Sequence, residues 1–468
     1  MNVVEITHCG NIALLDVRKT GLVQMGKPKL DTVIERLRNQ AVPGIIVDFS
    51  HMGTASYSDL GKLIELFTML ERARSAGSKG MIAALCGLSA QSEMRLARHG
   101  LLELLPVFPT RAAALQDKMF RPLKIAGSGA ILLCAPKATR MAPLIYETPV
   151  PMLDFLGKPI VTRIVDHLSG FGVTEFIVNT GYLGHQIRSH LRLQEGLSKF
   201  YVDDFNMELN PRGSIDSIKR LSHLSRHHCV FEEDRFVFSG NAITDVDLSE
   251  MMAFHKSVQA DATIAVCGDT NAKTGVMILG GAAKDILNAP NCSGDILEVF
   301  QKHGARVHMF VSKHRWFPIR SGAEYFSAHK SVLKNMPENF VISSVQKEKD
   351  FWVEPTAQIG RGISVDGCSY IGAGARVARD VMLKGNCFIG ANCRILPKTL
   401  VSNSLIFPDT QVEKRAIVDH MIAGPNWAIN HSFADGRLQN KSPLKGLGFA
   451  QTHKLEMVEM HENTAKIA

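Results

Sequence analysis

Every sixth residue from Val353 onward is aliphatic or aromatic for ten positions: Val353, Ile359, Val365, Ile371, Val377, Leu383, Ile389, Ile395, Val401 and Phe407. A period of six belongs neither to an α-helix, which repeats at about 3.6, nor to an alternating strand, which repeats at about two. It suits short strands that turn around a triangular prism, each face sending one apolar side chain inward. The residue four places after an anchor is often small, as at Ala357, Ser369, Ala375, Cys387, Cys393 and Thr399. Glycine follows several anchors, at Gly360, Gly372 and Gly390. At three hexads to a coil the run predicts about three coils, with the register ending at Glu413.

This pattern resembles the hexapeptide repeat of left-handed parallel β-helices. Many such solenoids are acyltransferases that use a histidine base. Here no histidine lies between Val353 and Phe407, and His420 follows the break in register. The expectation is therefore a packing module that joins copies of the chain into a homo-oligomer, with acyl transfer the weaker reading.

The bulk composition is that of an ordinary globular protein. Of 468 residues, 45% are hydrophobic and 21% charged, and the length suits several domains. The net charge is +8, but cations and acids alternate along the chain without a basic block, so no nucleic-acid partner is expected. The nine cysteines (Cys9, Cys86, Cys134, Cys229, Cys267, Cys292, Cys368, Cys387 and Cys393) form no CxxC pair, and most sit in apolar runs. Reduced, buried thiols and a cytoplasmic location follow as expectations. "MNVVEITHCG" lacks the features of a signal peptide, and no run of 18 apolar residues predicts a membrane span.

Residues 1–118 alternate strand-like runs, "NIALLDV", "GIIVDFS" and "KGMIAALCG", with helical spacings. In "SDLGKLIELFTMLERARSAG" Leu60, Leu63, Ile64, Leu66, Phe67, Leu70 and Ala73 share a face, with Ser58 placed as N-cap and Gly77 as stop. The segment from "IIVDFSHMGTASYSDLGK" to "RHGLLELLPVFPTRAAAL" resembles the STAS domain of anti-anti-sigma factors. That resemblance implies a protein partner bound through this domain. It also implies a phosphorylatable serine in an Asp-Ser-Ser-Gly-Leu-Gly stretch, where this chain has Ser56-Tyr57-Ser58-Asp59-Leu60-Gly61. Tyr57 replaces the usual phosphoserine. Ser58 remains open as a phosphate acceptor at a helix start or as a plain N-cap.

Residues 119–345 open with the buried run "AILLCA" and continue as alternating strands and helices, the pattern of a doubly wound α/β sheet. The ordered series "TRMAPL", "PVPML", "GKPIVTRIVDHLSGFGV", "EFIVNTGYLGHQI", "FVFSGNAITDVDLSEMMAFHK", "ADATIAV" and "WFPIRSGAEYFSAHKSVL" resembles the sugar-1-phosphate nucleotidyltransferases. These enzymes have a Rossmann-like fold, and many carry a C-terminal β-helix. They join a nucleoside triphosphate to a sugar phosphate and release pyrophosphate.

Carried over residue by residue, the resemblance exposes losses. The Gly-Gly-x-Gly-Thr-Arg loop is Ala135-Pro136-Lys137-Ala138-Thr139-Arg140, so the nucleotide-binding candidates Ala135, Lys137, Thr139 and Arg140 stand in a loop without glycine. Added methyls and a missing amide proton obstruct backbone contact with phosphate. The Pro-Lys-Pro motif is Pro149-Val150-Pro151. The two metal carboxylates fall on Asn241 and Pro318. "ATIAVCGDTNAKTGVMILGG" has no room for the excursion that holds the sugar phosphate in the family, and Asp245 and Asp247 fall at structural positions. "HLSRHHC" places His223 and His227 four apart beside His228 and Cys229, but with no further ligand nearby it reads as a solvated helix end.

The sequence thus predicts an α/β chain of four parts: a STAS-like domain at 1–118, a nucleotidyltransferase-like domain at 119–345, a β-helix at 346–432 and a tail at 433–468. Two whole-chain readings remain. One is a catalytically degenerate scaffold or regulator, with Arg140 a residual catalytic candidate, no cofactor, and a nucleotide or sugar phosphate as possible ligand. The other is an active, Mg²⁺-dependent nucleotidyltransferase with an altered site.

Overall fold

The computed structural model describes residues 4–9, 11–17, 42–51, 82–98, 100, 102, 105–125, 127–135, 138–194, 198–204, 218, 233–281, 283–289, 296–337 and 340–431. Tyr57, Ser58, the expected helix that follows them, Pro136, Lys137, His223, His227, His228, Cys229, Cys292 and the tail at 433–468 lie outside the described residues.

The first sheet has five strands in chain order: β1 (Val4–Cys9), β2 (Ile12–Val17), β3 (Gly44–Asp48), β4 (Ile82–Cys86) and β5 (Val107–Phe108). β1 is antiparallel to β2, and β2 to β5 are parallel. β3 is buried along its whole length, as a parallel strand covered on both faces must be. Helix α1 (Ala90–Arg98) follows β4, and α2 (Arg111–Gln116) follows β5. Thr110 caps α2 by accepting the Ala113 N–H at 3.1 Å.

The central sheet contains β6 (Gly129–Cys134), β7 (Glu175–Thr180), β8 (Lys199–Asp204), β9 (Arg235–Ser239), β11 (Ala262–Cys267), β12 (Ala272–Leu279) and β13 (Val307–Ser312). Their order is β8-β7-β6-β9-β12-β11-β13. Only β12 runs against its neighbours. A separate short pair joins β10 (Ala242–Thr244) to β14 (Trp316–Pro318). Side chains alternate across β6. Ala130, Leu132 and Cys134 enter a core shared with α3 (Ile160–Gly170). Ile131 enters a second core with α6 (Ala283–Asn288) and α7 (Ile296–Lys302). Helices α4 (Gly184–Arg192) and α5 (Leu248–Ser257) complete the alternation. This is a mixed α/β architecture with a largely parallel, Rossmann-like sheet.

After α8 (Gly322–Lys334) the chain forms stacked short strands. Three inward columns run through them. Val353, Ile371, Ile389, Ile406 and Ala423 form one, in register from strand to strand. Val377, Ile395 and Val412 form the second, with Ile359 in register at its end but 40% exposed rather than inward as expected, and Val365, Leu383, Val401 and Val418 form the third. The step is 18 residues until Lys384–Cys387, where the register shifts. From there it is 17.

Two further expectations are corrected. Phe407 is not an inward anchor: Ile406 is fully buried in its place. The register does not end at Glu413 but continues one residue out of phase through Val418 and Ala423. The cause is one corner. Gly385 and Asn386 separate Lys384 from Cys387, whereas Asn403 alone separates Ser402 from Ser404. Asn403 takes a left-handed φ of 41° to close the shorter turn. The small side chains after the anchors bridge coils: Cys387 Sγ reaches the Val401 carbonyl at 3.3 Å, and Thr399 Oγ1 donates to the Glu413 carbonyl at 3.0 Å.

One face of the stack shares its core with the central sheet. Cys368, Tyr370, Phe388, Leu405, Ile422 and Ile429 join Tyr325, Phe326, Val332 and Leu333 of α8. The Phe326 and Phe388 rings are 5.4 Å apart, and the His329 and Phe155 rings 4.3 Å. Several polar groups in this seam are paired, although Trp352 Nε1 has no hydrogen-bond partner among the described residues. Arg163, only 6% exposed, donates to the carbonyls of Phe155, Leu156 and Val341 and lies 4.2 Å from the Phe340 ring. Glu354 accepts from Tyr370 Oη at 3.0 Å and Ser343 Oγ at 3.1 Å. Tyr325 Oη donates to the Asp154 carbonyl. Asp154, Tyr325, His329 and Tyr370 line a cavity of ≈ 10 Å³, room for about one water.

Two predictions follow from the seam. A chain ending at residue 345 should be insoluble, because it uncovers the aromatic face of α8; static light scattering on the soluble fraction checks this. The second concerns pH. Burial pushes His329 down to about 3 and His167 to about 4, so the unfolded chain binds protons that the folded chain refuses. Stability then falls as pH drops below about 6.5. Burial pushes the Asp154 carboxyl up to about 6, which acts oppositely: the folded state keeps a proton that the unfolded chain gives up above about 4. Asp154→Asn should therefore raise the thermal midpoint at neutral pH and steepen its decline on acidification. Melting curves across this pH range would show an unchanged slope if Asp154 were not coupled to folding.

Candidate functional site

β6, β7 and β9 are parallel neighbours, so their carboxyl ends at Cys134, Thr180 and Ser239 lie side by side. Open α/β sheets bind ligands at such ends. The Cys134 N–H donates to Asn179 Oδ1 at 2.7 Å, and Asn179 is fully buried. Ala135 is buried directly beyond. Gly181 presses on it: a Cβ at 181 would lie 2.5 Å from the Ala135 carbonyl oxygen. Gly240 donates its N–H to the Leu133 carbonyl at 2.9 Å, and a Cβ there would lie 2.7 Å from Cys134 Sγ. Close backbone approach thus survives at 181 and 240, on the strands flanking the loop, while Ala135 and Ala138 occupy the loop itself.

Thr139, Arg140 and Met141 form one 3₁₀ turn, pinned by the buried Met141. Thr139 and Arg140 are exposed, and Arg140 has no hydrogen bond or ion pair among the described residues. Val150 is buried in the core beside α3, so its position turns away from solvent.

The structure brings Asn241 and Pro318 together across 77 residues of sequence. Ala242 faces Pro318 in the β10–β14 pair, and the Ile319 N–H donates to the Asn241 carbonyl at 2.8 Å. The Asn241 side chain is already engaged, its Oδ1 accepting from Ser239 Oγ at 2.7 Å. Pro318 has no ligating atom in its side chain. Neighbouring acids are committed elsewhere. Asp245 holds the Arg315 N–H at 2.6 Å and its Nε at 2.7 Å. Asp247 caps α5 through the amides of Ser249 and Glu250. β11 and β12 are joined by residues 268–271 alone, a tight turn.

A second polar cluster stands at the carboxyl ends of β2, β3 and β4. Asp16, Asp48 and Cys86 are register neighbours. Asp48 accepts from Ser50 N at 2.9 Å, Ser50 Oγ at 2.6 Å and Arg111 Nε at 2.7 Å. Burial alone would raise this carboxyl, but the Ser50 and Arg111 hydrogen bonds hold it below the ordinary value. Burial, with Asp48 alongside, pushes the Cys86 thiol up to about 12, so it is inert as a nucleophile. His51 Nδ1 lies 3.0 Å from Asp16 Oδ1. Neither this cluster nor Asn179 was singled out from sequence. An aspartate closing each of two apolar runs, "ALLDV" and "IIVDFS", and an asparagine closing "FIVNT" were the available signals.

Residues 129–287 match the Nucleotidyl transferase family. The UTP--glucose-1-phosphate uridylyltransferase of Synechocystis sp. is 24% identical over 340 residues, covering 63% of this chain and 87% of that protein. The mannose-1-phosphate guanylyltransferase of Mycobacterium tuberculosis is 26% identical over 135 residues, 29% of this chain and 36% of that protein. The mannose-1-phosphate guanyltransferase beta-B of Xenopus laevis is 26% identical over 202 residues, 42% of this chain and 49% of that protein. Residues 129–287 are therefore similar to the Nucleotidyl transferase family, and the relatives are sugar-1-phosphate nucleotidyltransferases. The match spans most of the Synechocystis protein but about half or less of the other two.

The close contact at Gly181 gives a direct test of the strand-end geometry. Gly181→Ala must displace the Ala135 carbonyl, which is backbone and cannot swing aside. A loss of about 1–3 kcal/mol is expected, the range for an overpacked core site. Denaturant unfolding of the variant measures it, and an unchanged midpoint would mean that the loop after β6 is not held against β7.

Proposed function

We propose that this chain is a sugar-phosphate nucleotidyltransferase-like protein whose central site no longer transfers nucleotides, and that it serves as a scaffold or regulator. In this reading residues 1–118 are a STAS-like domain that binds a protein partner, with Tyr57 and Ser58 at its contact surface. Residues 346–432 are a left-handed β-helix that joins copies of the chain, and 433–468 form a tail. A cytoplasmic role in bacterial polysaccharide or sugar-nucleotide metabolism suits the relatives.

The observation that carries the proposal is the pairing of Asn241 with Pro318. The reaction joins two anions: a sugar-phosphate oxygen attacks the α-phosphorus and pyrophosphate departs. Charge must be neutralised on both sides, and in the family Mg²⁺ held by two carboxylates does much of this. Mg²⁺ is usually held through one or two carboxylates, with water and phosphate oxygens completing its shell. Here one position offers a neutral amide oxygen bonded to Ser239 Oγ, and the other offers no side-chain ligand. The residues present do not fit the metal. Ala135, Ala138 and the buried Val150 remove further phosphate contacts. Thr139 and Arg140 remain on an exposed turn, which supports weak, metal-independent binding of a phosphate-bearing ligand.

A second reading, an active nucleotidyltransferase with an altered site, is favoured by the length of the match to the Synechocystis uridylyltransferase. Pyrophosphate release separates the two. With UTP or GTP, glucose 1-phosphate or mannose 1-phosphate, and Mg²⁺, the full chain should release no more than the protein-free control. Asn241→Asp alone should not restore release. Nucleotide titration should give weak binding that Mg²⁺ does not change and Arg140→Ala weakens. Steady Mg²⁺-dependent release, abolished by Arg140→Ala, would establish the second reading instead.

A further inference from the structure

The cations of the C-terminal stack are scattered in sequence but gathered in space. Arg376 and Arg394 are direct partners in a parallel ladder, with Gln358 and Gln411 at its ends. Neighbouring strands sit about 4.8 Å apart, and like charges placed directly opposite destabilise a ladder. The corner that follows this face adds Arg379, Lys398, Lys414 and Arg415, all exposed. None of these six has an acidic partner among the described residues. Beyond the corner an apolar row begins: Met382, Leu400 and Ile417 are register partners. Met382 is 42% and Ile417 70% exposed. The third face is the one buried against α8. The free side of the stack is thus a convex ridge with a cation-rich crest, where Asp380 and Glu413 stand among the six cations, and a flank on which the apolar row runs beside a polar row of Asp366, Lys384, Ser402 and Asp419.

We infer that this ridge docks on an anionic phospholipid surface. The pairing of unpartnered cations with exposed aliphatic side chains matches the two layers of such a surface, charged phosphates outside and hydrocarbon beneath. Arginine and lysine reach the phosphates, while Met382 and Ile417 enter the boundary below the headgroups. The shape favours a lipid plane over nucleic acid. A convex edge built of flat strands has no groove to track a backbone, no element to enter a duplex groove and no exposed aromatic rings for bases to stack on. Ridge-to-ridge contact between two copies is disfavoured because it would set cation against cation, so the joining of copies proposed above would have to use the ends of the stack rather than this ridge. The docking needs no membrane-spanning segment, and no helix among the described residues is long and apolar enough to be one.

Flotation of the full-length chain with vesicles tests this. Binding is expected to phosphatidylcholine vesicles containing phosphatidylglycerol, to be absent with phosphatidylcholine alone, and to weaken as salt is raised. Each cation near such a surface strengthens binding about fivefold, so Arg376→Glu/Arg394→Glu should weaken it by tenfold or more. Lys398→Glu/Arg415→Glu should do the same, and Ile417→Ser should weaken binding without changing its salt dependence. All these side chains are exposed, and circular dichroism checks that the variants fold. Three results would each overturn the inference: no binding to either vesicle, binding unchanged by both charge reversals, or tight binding of duplex DNA by the same arginines without vesicle binding. A change in oligomer size on charge reversal, with vesicle binding intact, would reassign the ridge to contact between copies.

Discussion

The apolar seam between α8 and the stacked strands is the contact on which the two larger parts of the molecule depend. The central sheet cannot finish its own core. Tyr325, Phe326, Val332 and Leu333 of α8 share one core with side chains of that sheet and with Phe388, Leu405 and Ile422 of the stack. Conversely, the stack has its own inward core, and one of its outward faces carries the apolar side chains that meet α8. Burying aromatic side chains of this size contributes about 1.5–3 kcal/mol each. Arg163 then fixes how the pieces meet. Its guanidinium spends its donors on the carbonyls of Phe155, Leu156 and Val341, linking the loop before α3 to the chain that enters the stack. A buried cation without those carbonyls would be very costly, so Arg163 favours the arrangement that supplies them.

The same logic explains what could and could not be read from the sequence. The inward columns were legible because the period is local: Ile371, Val377, Leu383 and Ile389 announce themselves six apart. The slip to Ile406 was not, because it depends on one missing residue at a corner that looks like any polar turn. The absence of glycine at 135, 136 and 138 is read directly from the sequence, whereas its meaning for a loop rests on the family resemblance. The adjacency of Asn241 and Pro318 was only implied by family resemblance, since nothing local links residues so far apart. Asn179 was overlooked because an asparagine at a strand end usually signals a turn; its role as acceptor for Cys134 N–H appears only when β6 and β7 are set side by side. The basic ridge escaped notice for a related reason. Arg376 and Arg394 are 18 residues apart, and a scan for charge blocks looks along the chain, not across coils.

The strand-end region is closely packed, and under the proposed function its packing groups and its chemical groups are different residues. Gly181 and Gly240 still allow β7 and β9 to close on Cys134 and Ala135. Asp245 and Asp247 still hold Arg315 and α5. These are contacts that folding needs. Ala135, Ala138, Val150, Asn241 and Pro318 are the positions on which the proposed loss of transfer chemistry rests, and none of them is among these packing glycines and capping aspartates. If that proposal holds, constraint from stability and constraint from chemistry fall on different residues.

The shortened corner at Asn403 reaches further than the coil it closes. In a coil of the full length Phe407 would occupy the inward column under Ile389. With one residue fewer, Ile406 takes that place and Phe407 is pushed to the outside, where its ring stands 6.0 Å from Tyr325 and 5.0 Å from Trp427. A change in chain length, with no change in residue type, thus converts a filler of one compartment into a rivet between two. Such a solenoid has two independent variables, the identity of its anchors and the length of its corners, and the second decides which neighbour the anchors serve.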